Sequence, residues 1–312
     1  MPLGIRPIVD FAFKKTFGTP ENRACLISLL NAVLRPKEPI IDVTLDNPFN
    51  PKDFQEDKLS QLDIKAIDRT GAIYNVEVQL TTYEGLLQRM VFYGCELYAG
   101  QLKSGNAYES VNPVYTIWLI TGVLWPDATA VHHAFRLTDK DSGRVLDETL
   151  EIHTLELGRY NIKELELQSA GELDCWLFWL LYAHEYEAED LMKLLPQSAI
   201  RQATDTLTRI AQITEDKAMY DAREKAIRDQ KWEIDARERK AHREGKIEGK
   251  IEGKIEGKIE GKIEGKIEHV QMLQSLSCLP VSDEQELRAF SLEQLQAMAI
   301  DLQEKLRNRT PS

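Results

Sequence analysis

Residues 61–80 read QLDIKAIDRTGAIYNVEVQL, and their alternation decides the fold. In the first arm Leu62, Ile64 and Ala66 alternate with Asp63, Lys65 and Ile67. In the second, Tyr74, Val76 and Val78 alternate with Asn75, Glu77 and Gln79. A period of two with apolar residues on one side is the pattern of a half-buried strand. Asp68, Arg69, Thr70 and Gly71 between the arms carry turn chemistry. The stretch therefore predicts a β-hairpin. A slip of one residue in the pairing would send one arm's polar set to the opposite face. Burying both apolar sets together requires Asp63 and Glu77 to share a face. The simplest such register sets them opposite each other, with Ile67 near Ile73. Asp63, Lys65, Asn75, Glu77 and Gln79 then form one polar face.

Two carboxylates side by side on a sheet face repel each other, and a divalent cation removes that cost. Mg²⁺ takes one or two carboxylates together with waters and phosphate oxygens. Held in that way it activates water and neutralises a phosphodiester under attack. The plainer alternative is a solvated hairpin face whose charges pair with Lys65 and its neighbours. The residues of the hairpin alone leave both open.

Asp63, a strand-turn-strand and then Glu77-Val78-Gln79 resemble the D…(E)xQ core of the PD-(D/E)XK nuclease superfamily. More closely, they resemble the Rpn family of recombination-promoting nucleases, also described as transposases. The opening Asp10-Phe11-Ala12-Phe13-Lys14-Lys15-Thr16-Phe17-Gly18 is similar to that family's start. So are Leu29-Leu30-Asn31-Ala32-Val33-Leu34, the Arg89…Tyr93 stretch and Pro113-Val114-Tyr115-Thr116-Ile117. The resemblance covers the first half well and extends into the glycine-punctuated tail. D…ExQ alone is common; the order and spacing of the segments make the likeness specific. Gln79 stands where many superfamily members carry a catalytic lysine, and the Rpn group commonly has glutamine there.

The resemblance implies an α/β, restriction-endonuclease-like mixed sheet flanked by helices, with a helical C-terminal extension. It also implies a metal-dependent DNA endonuclease acting in recombination or mobile-element biology. Asp63 and Glu77 would hold Mg²⁺ or another divalent cation, with Asp10 on the first helix as a third ligand. Gln79 would orient the attacking water or the phosphate, and Lys65 would partly replace the missing lysine charge. Asp10 also reads as a helix N-cap or surface acid. Two other functions remain open: a non-catalytic DNA- or protein-binding module on a nuclease scaffold, and a transposase proper that joins as well as cuts strands.

The chain has 312 residues and a formal net charge of −12. That balance argues against coating nucleic acid by bulk charge, so a nuclease would need a local basic patch and a metal. Cys25, Cys95, Cys175 and Cys278 are scattered and form no C-x-x-C pair, which suits a reduced, cytoplasmic protein. No apolar run approaches the ~20 residues that span a bilayer, and no signal-peptide pattern opens the chain.

Outward from the hairpin, residues 8–34 have helical spacing interrupted at Thr19-Pro20, where Thr19 suits an N-cap. Residues 40–48 suggest a first strand, carried by Ile40 to Leu45 and ending at Asn47-Pro48. Residues 83–103 predict a helix that buries Leu86, Leu87, Met90 and Val91 and closes at Ser104-Gly105-Asn106. Arg89 and Tyr93 lie one turn apart on it. They suit a scissile phosphate or leaving oxygen; the alternative is an Arg89 ion pair with Asp63 or Glu77. Residues 114–123 form a nearly continuous apolar run, the mark of a central strand, and the helix before it makes a β-α-β crossover. Residues 134–137 and 150–157 suggest two more strands with a turn at 139–143. The histidines read as structural.

Residues 173–195 predict a leucine-rich helix in which Trp176, Trp179 and Tyr182 are core rather than a base-stacking platform. Residues 200–244 suggest a polar helix that packs loosely or pairs with another chain. Residues 245–268 repeat Gly-Lys-Ile-Glu six times. Six glycines and like charges four apart make this a poor lone helix, read as a frayed helix serving as a spacer or an oligomerising stalk. A last helix over 283–307 is capped by Ser282. The expected divisions are a nuclease-like domain over 1–165, a helical extension over 166–244, the repeat, and a helical segment over 269–312, with DNA and a second copy of the chain as partners.

Overall fold

The computed structural model describes residues 1–49, 64–103, 105 and 107–308. They form two compact units, Met1–Ile227 and Arg228–Ser312. The hairpin arms become β2 (Ile64–Asp68) and β3 (Ile73–Gln79). They pair antiparallel, with Ile64 opposite Val76, Lys65 opposite Asn75 and Ile67 opposite Ile73. This is the register that buries both apolar sets: Ile64, Ala66, Tyr74, Val76 and Val78 are all buried. The expected pairing of Asp63 with Glu77 lies outside the described residues. Asp68 builds the turn, its Oδ1 accepting the Thr70 and Ala72 N–H groups. Gly71 takes φ +89° there, a conformation that costs other residues about 1–2 kcal/mol.

With β1 (Val43–Leu45), β4 (Val114–Ile120), β5 (His132–Arg136) and β6 (Leu150–Glu156), the hairpin forms a six-stranded mixed sheet. The strand order is β1-β2-β3-β4-β6-β5. The β3–β4 and β4–β6 pairs are parallel and the other three antiparallel. The helix α3 (Leu86–Ala99) makes the expected crossover between β3 and β4. The restriction-endonuclease-like α/β architecture is therefore present.

One sheet face joins the main core through Ala66, Val76, Val78, Ile117, Leu119 and Leu155. That core includes α1 (Asp10–Phe17), α2 (Arg23–Leu34), α4 (Glu172–Tyr182) and α6 (Ser198–Gln212). Trp176 and Trp179 are buried in it, their indole N–H groups donating to Ser28 and Thr204. They are core, as their leucine-rich setting predicts. The opposite face is covered more thinly, by Leu86 and Met90 of α3 packing on Trp118 and Ile120.

Several boundaries differ from expectation. The first strand keeps only Val43–Leu45. Thr19 gives no side-chain cap; its hydroxyl donates to the Lys15 carbonyl instead. α3 ends at Ala99, ahead of the expected Ser104-Gly105-Asn106, with Gly100 as its C-cap and the Gly100 N–H bonded to the Glu96 carbonyl. Ser104 and Asn106 lie outside the described residues. The helix expected over 173–195 breaks after Tyr182 and resumes as α5 (Ala188–Leu194). The cause is nonlocal: the Gly4 and Leu3 N–H groups bond to the His184 and Tyr186 carbonyls. The segment from residue 200 is loosely packed only in its later part: Ile200, Ala203, Leu207 and Ile210 of α6 are fully buried, whereas residues 221–244 carry no buried side chain.

α7 (Thr214–Leu276) carries the repeat as helix. In the second unit its Ile267, Val270 and Leu273 pack against Leu287 of α8 (Glu284–Leu287) and Leu295, Ala299 and Leu302 of α9 (Leu292–Arg307). The last helix is thus split in two and is not capped by Ser282. Asp283 caps α8, and Ser291 caps α9 in a capping box with Gln294. Two reciprocal bonds at Ser291 satisfy N–H groups that a continuous helix would not have left open. Among the described residues no helix is long and apolar enough to cross a membrane.

Candidate active site

Alternation puts Asn75, Glu77 and Gln79 on one face of β3, with Lys65 beside Asn75 through the hairpin register. This face is not simply wet. Glu77 is 3% exposed and Asn75 1%, while Lys65 and Gln79 are half-buried. Burial follows from position: β3 lies inside the sheet, between β2 and β4. A buried carboxylate needs hydrogen bonds and a charge partner. Asn75 Nδ2 donates to Glu77 Oε1 at 3.2 Å and Gln79 Nε2 donates to Oε2 at 3.3 Å. The charge partner is Arg89 of α3, 4.0 Å from Oε2.

Arg89 is itself held in place. It donates to the Tyr83 hydroxyl at 2.8 Å and lies over the Tyr93 ring, 5.1 Å from its centroid. The Tyr93 ring meets Trp118 edge-on, and Trp118 is the register partner of Glu77 in β4. The fold thus brings Glu77, Gln79, Arg89 and Tyr93 together, with Lys65 on the same face. Asp63 lies outside the described residues.

Asp10 sits elsewhere in the contact network. It is the first residue of α1 and is buried; its Oδ1 accepts the Phe11 N–H at 2.8 Å and its Oδ2 lies 3.5 Å from Arg223 Nε. Burial raises its pKa, against the opposing pull of Arg223, the Phe11 N–H and Lys14. Among the described residues no contact joins the Asp10 carboxylate to Glu77.

Sequence reasoning overlooked Tyr83 and Thr116, and placed Asn75 on the polar face without giving it a role. Tyr83 anchors Arg89. Asn75 Oδ1 and Thr116 Oγ1, neighbours across β3 and β4, are buried without hydrogen-bond partners among the described residues. Asn75 was legible as the residue two before Glu77; the Thr116 pairing needs the parallel register. These atoms bear on a divalent cation. A carboxylate and an amide oxygen are hard ligands of the kind Mg²⁺ takes, and one or two carboxylates suffice. Buried oxygens without partners are costly unless a ligand or water meets them. The Glu77 carboxylate fits such a cation; the Asn75 amide turns its nitrogen to Glu77 and would join it as a ligand only with its oxygen turned round. Among the described residues no group of three or more His, Cys, Asp or Glu side chains could hold a metal alone.

No curated protein and no solved structure matches the chain. Residues 7–237, however, match the family model described as PD-(D/E)XK nuclease family transposase. The match takes in α1, the whole sheet with its Glu77 hairpin, and the start of α7. On that match, which covers most of its length, the chain belongs to the PD-(D/E)XK nuclease family transposases.

Proposed function

We propose that the chain is a divalent-metal-dependent endonuclease that hydrolyses phosphodiester bonds in DNA in the cytoplasm, in recombination or the movement of a genetic element. One observation carries the reading: a buried carboxylate, Glu77, that accepts from the Asn75 and Gln79 amides and has a guanidinium 4.0 Å away. In this reading Asp63, which lies outside the described residues, is the second acid of the site, and Asp10 would be the third only if it exchanged its Arg223 partner for the cation. A bound Mg²⁺ would supply an activated water and neutralise the phosphate.

The side chains do the rest. Glu77 and Asp63 provide the negative charge that fixes the cation. Gln79, tied to Glu77, turns its amide toward the attacking water or the phosphate. Lys65 supplies part of the charge that a lysine at position 79 would bring. Arg89, braced by Tyr83 and Tyr93, faces the scissile phosphate or the leaving oxygen with a planar fork of donors. With a net charge of −12, the affinity for DNA comes from these local cations. The C-terminal helices and the repeat hold copies of the chain together.

The test is cleavage of plasmid DNA by the purified chain with Mg²⁺, with and without chelator, beside Glu77→Gln. Nicked or linear product that needs Mg²⁺ and Glu77 supports the reading. Shifted but uncut DNA at every metal concentration would replace it with a binding module, and joined products would make the chain a strand-transferring transposase.

A further inference from the structure

The repeat places six isoleucines four residues apart, and the structure treats them unequally. Ile267 is buried and Ile263 half-buried, packed with Leu295, Ala299 and Leu302 of α9 and their neighbours. Ile247, Ile251, Ile255 and Ile259 are each 50–55% exposed. One stripe is thus covered at its C-terminal end and bare over the preceding four repeats. The covered end shows what the stripe does when it has a partner: it packs against another helix.

The charges say which partner the bare part fits. In an α-helix each residue turns about 100°. Lys precedes and Glu follows every Ile, so a column of lysines flanks the stripe on one side and a column of glutamates on the other. Gly falls on the far side. No Lys and Glu within the repeat are three or four residues apart, so none can pair along its own helix. Among the described residues no ion pair joins a repeat lysine to a repeat glutamate; Glu264 pairs with Arg288 instead.

Two copies facing each other through their isoleucines meet in one of two ways. Antiparallel, the two-fold axis sets lysines against lysines and glutamates against glutamates. Parallel, it sets each lysine column against the partner's glutamate column. Only the parallel arrangement satisfies the charges. The spacing also fixes the crossing. Four residues overshoot one turn by about 40°, so the stripe follows the i±4n ridge, and two such ridges interdigitate at about −50°.

We propose that the exposed isoleucine stripe of residues 247–259 pairs with the same stripe of a second copy, parallel and crossing, with the lysine and glutamate columns exchanged between chains. This rests on the homo-oligomer part of the function proposed above and is independent of catalysis. Four isoleucines a side make a contact at the small end of specific interfaces, below about 1,200 Å². The pairing is therefore weak, and it is measured at high protein concentration.

The experiment uses the full chain and two single-sign variants. One carries Lys→Glu at 246, 250, 254 and 258; the other carries Glu→Lys at 248, 252, 256 and 260. Mass is read by light scattering and helicity by circular dichroism. The expected result is a dimer for the unaltered chain, monomers for each variant alone, and recovery of a two-chain species when the variants are mixed in equal amounts. Because each variant could lose helix for its own reasons, the mixture is the deciding arm: it restores attraction without restoring either sequence. A monomeric unaltered chain would overturn both this inference and the homo-oligomer reading. Dimers in both single-sign variants would keep the oligomer but move its interface off the repeat, overturning the inference alone. Failure of the mixture to associate while the unaltered chain dimerises would do the same.

Discussion

The Glu77 carboxylate and the Arg89 guanidinium lie 4.0 Å apart, one on the strand before the β-α-β crossover and the other on the crossover helix itself. A full bidentate pair would be closer, at about 2.7–2.9 Å. The looseness matters, because the same guanidinium is held by Tyr83 and Tyr93 rather than by Glu77. Acid and cation are thus neighbours whose positions are set by different contacts.

Glu77→Gln keeps the shape but removes the charge, and its one amide oxygen can accept from only one of the Asn75 and Gln79 amides that Glu77 accepts from now. Even outer partners of a metal ligand are worth about 10–100-fold, so this variant should lose at least about 100-fold in cleavage rate at fixed Mg²⁺ while remaining folded. Gln79→Glu adds an acid on the same face and should lose less, with part of the rate recovered at higher Mg²⁺. A titration of rate against Mg²⁺ compares the two. Wild-type behaviour of Glu77→Gln beside a dead Gln79→Glu would put the metal elsewhere.

Arg89→Lys should behave as a poor substitute. Lysine keeps the charge but cannot present the planar fork that bonds Tyr83 while stacking on Tyr93. The expected loss in kcat/KM on plasmid DNA is about 10-fold or more, with a few-fold loss for Tyr83→Phe. Equal rates for all three proteins would leave Arg89 a structural partner of Glu77 only.

His132 and His153 sit side by side, Nε2 to Nδ1 at 3.0 Å, and His153 Nε2 meets Glu151 at 3.1 Å. Burial holds both rings neutral, with pKa values pushed down to about 4 from 6.5. Between those values the unfolded chain binds more protons than the folded one. Stability is therefore complete above about pH 6.5 and falls as the pH drops toward 4. Urea midpoints measured from pH 7 to 4 should show this loss, and His153→Gln should flatten the curve.

Arg223→Met should destabilise the fold by about 3–5 kcal/mol at pH 7, since it strands the buried Asp10 carboxylate. Burial already raises the Asp10 pKa and Arg223 counteracts it, so the variant carboxyl will protonate more readily. The deficit should shrink at pH 5. Thermal unfolding of both proteins at the two pH values checks the sign; a deficit that grows on acidification would assign Arg223 to a different partner.

The hairpin register was legible because both arms alternate cleanly and a one-residue slip would bury Lys65 and Glu77's neighbours on the wrong side. The crossover helix and the buried tryptophans were legible from periodicity as well, but only Leu86 and Met90 of the four apolar residues expected to be buried on that helix are. Leu87 and Val91 are exposed, because the helix covers its sheet face along a narrow strip. What escaped was set by distant chain. Nothing near Ala183 says that the N–H groups of Leu3 and Gly4 will take the carbonyls at 184 and 186. The Asp10–Arg223 pair has no local signal either. The capping box at Ser291 and Gln294 was present in the sequence and was outweighed by the apparent continuity of the helix. In the site, the spacing pointed to Glu77 and Gln79, but that Asn75 Oδ1 and Thr116 Oγ1 share a buried layer follows only from the parallel pairing of β3 with β4.

The ties at the start of α7 bear on how the protein is made. Lys15 pairs with Asp216, and the Arg6 N–H reaches the Tyr220 hydroxyl across 214 residues of chain. Asp10 meets Arg223 three residues further on. At a ribosomal pace of about 5–20 residues per second, these partners emerge on the order of 10–40 s after the residues that await them. Throughout that interval the nascent chain holds the acidic start of α1 without its counter-charge. The Met1–Ile227 unit therefore completes these ties only late in translation, after residues 216–223 have emerged.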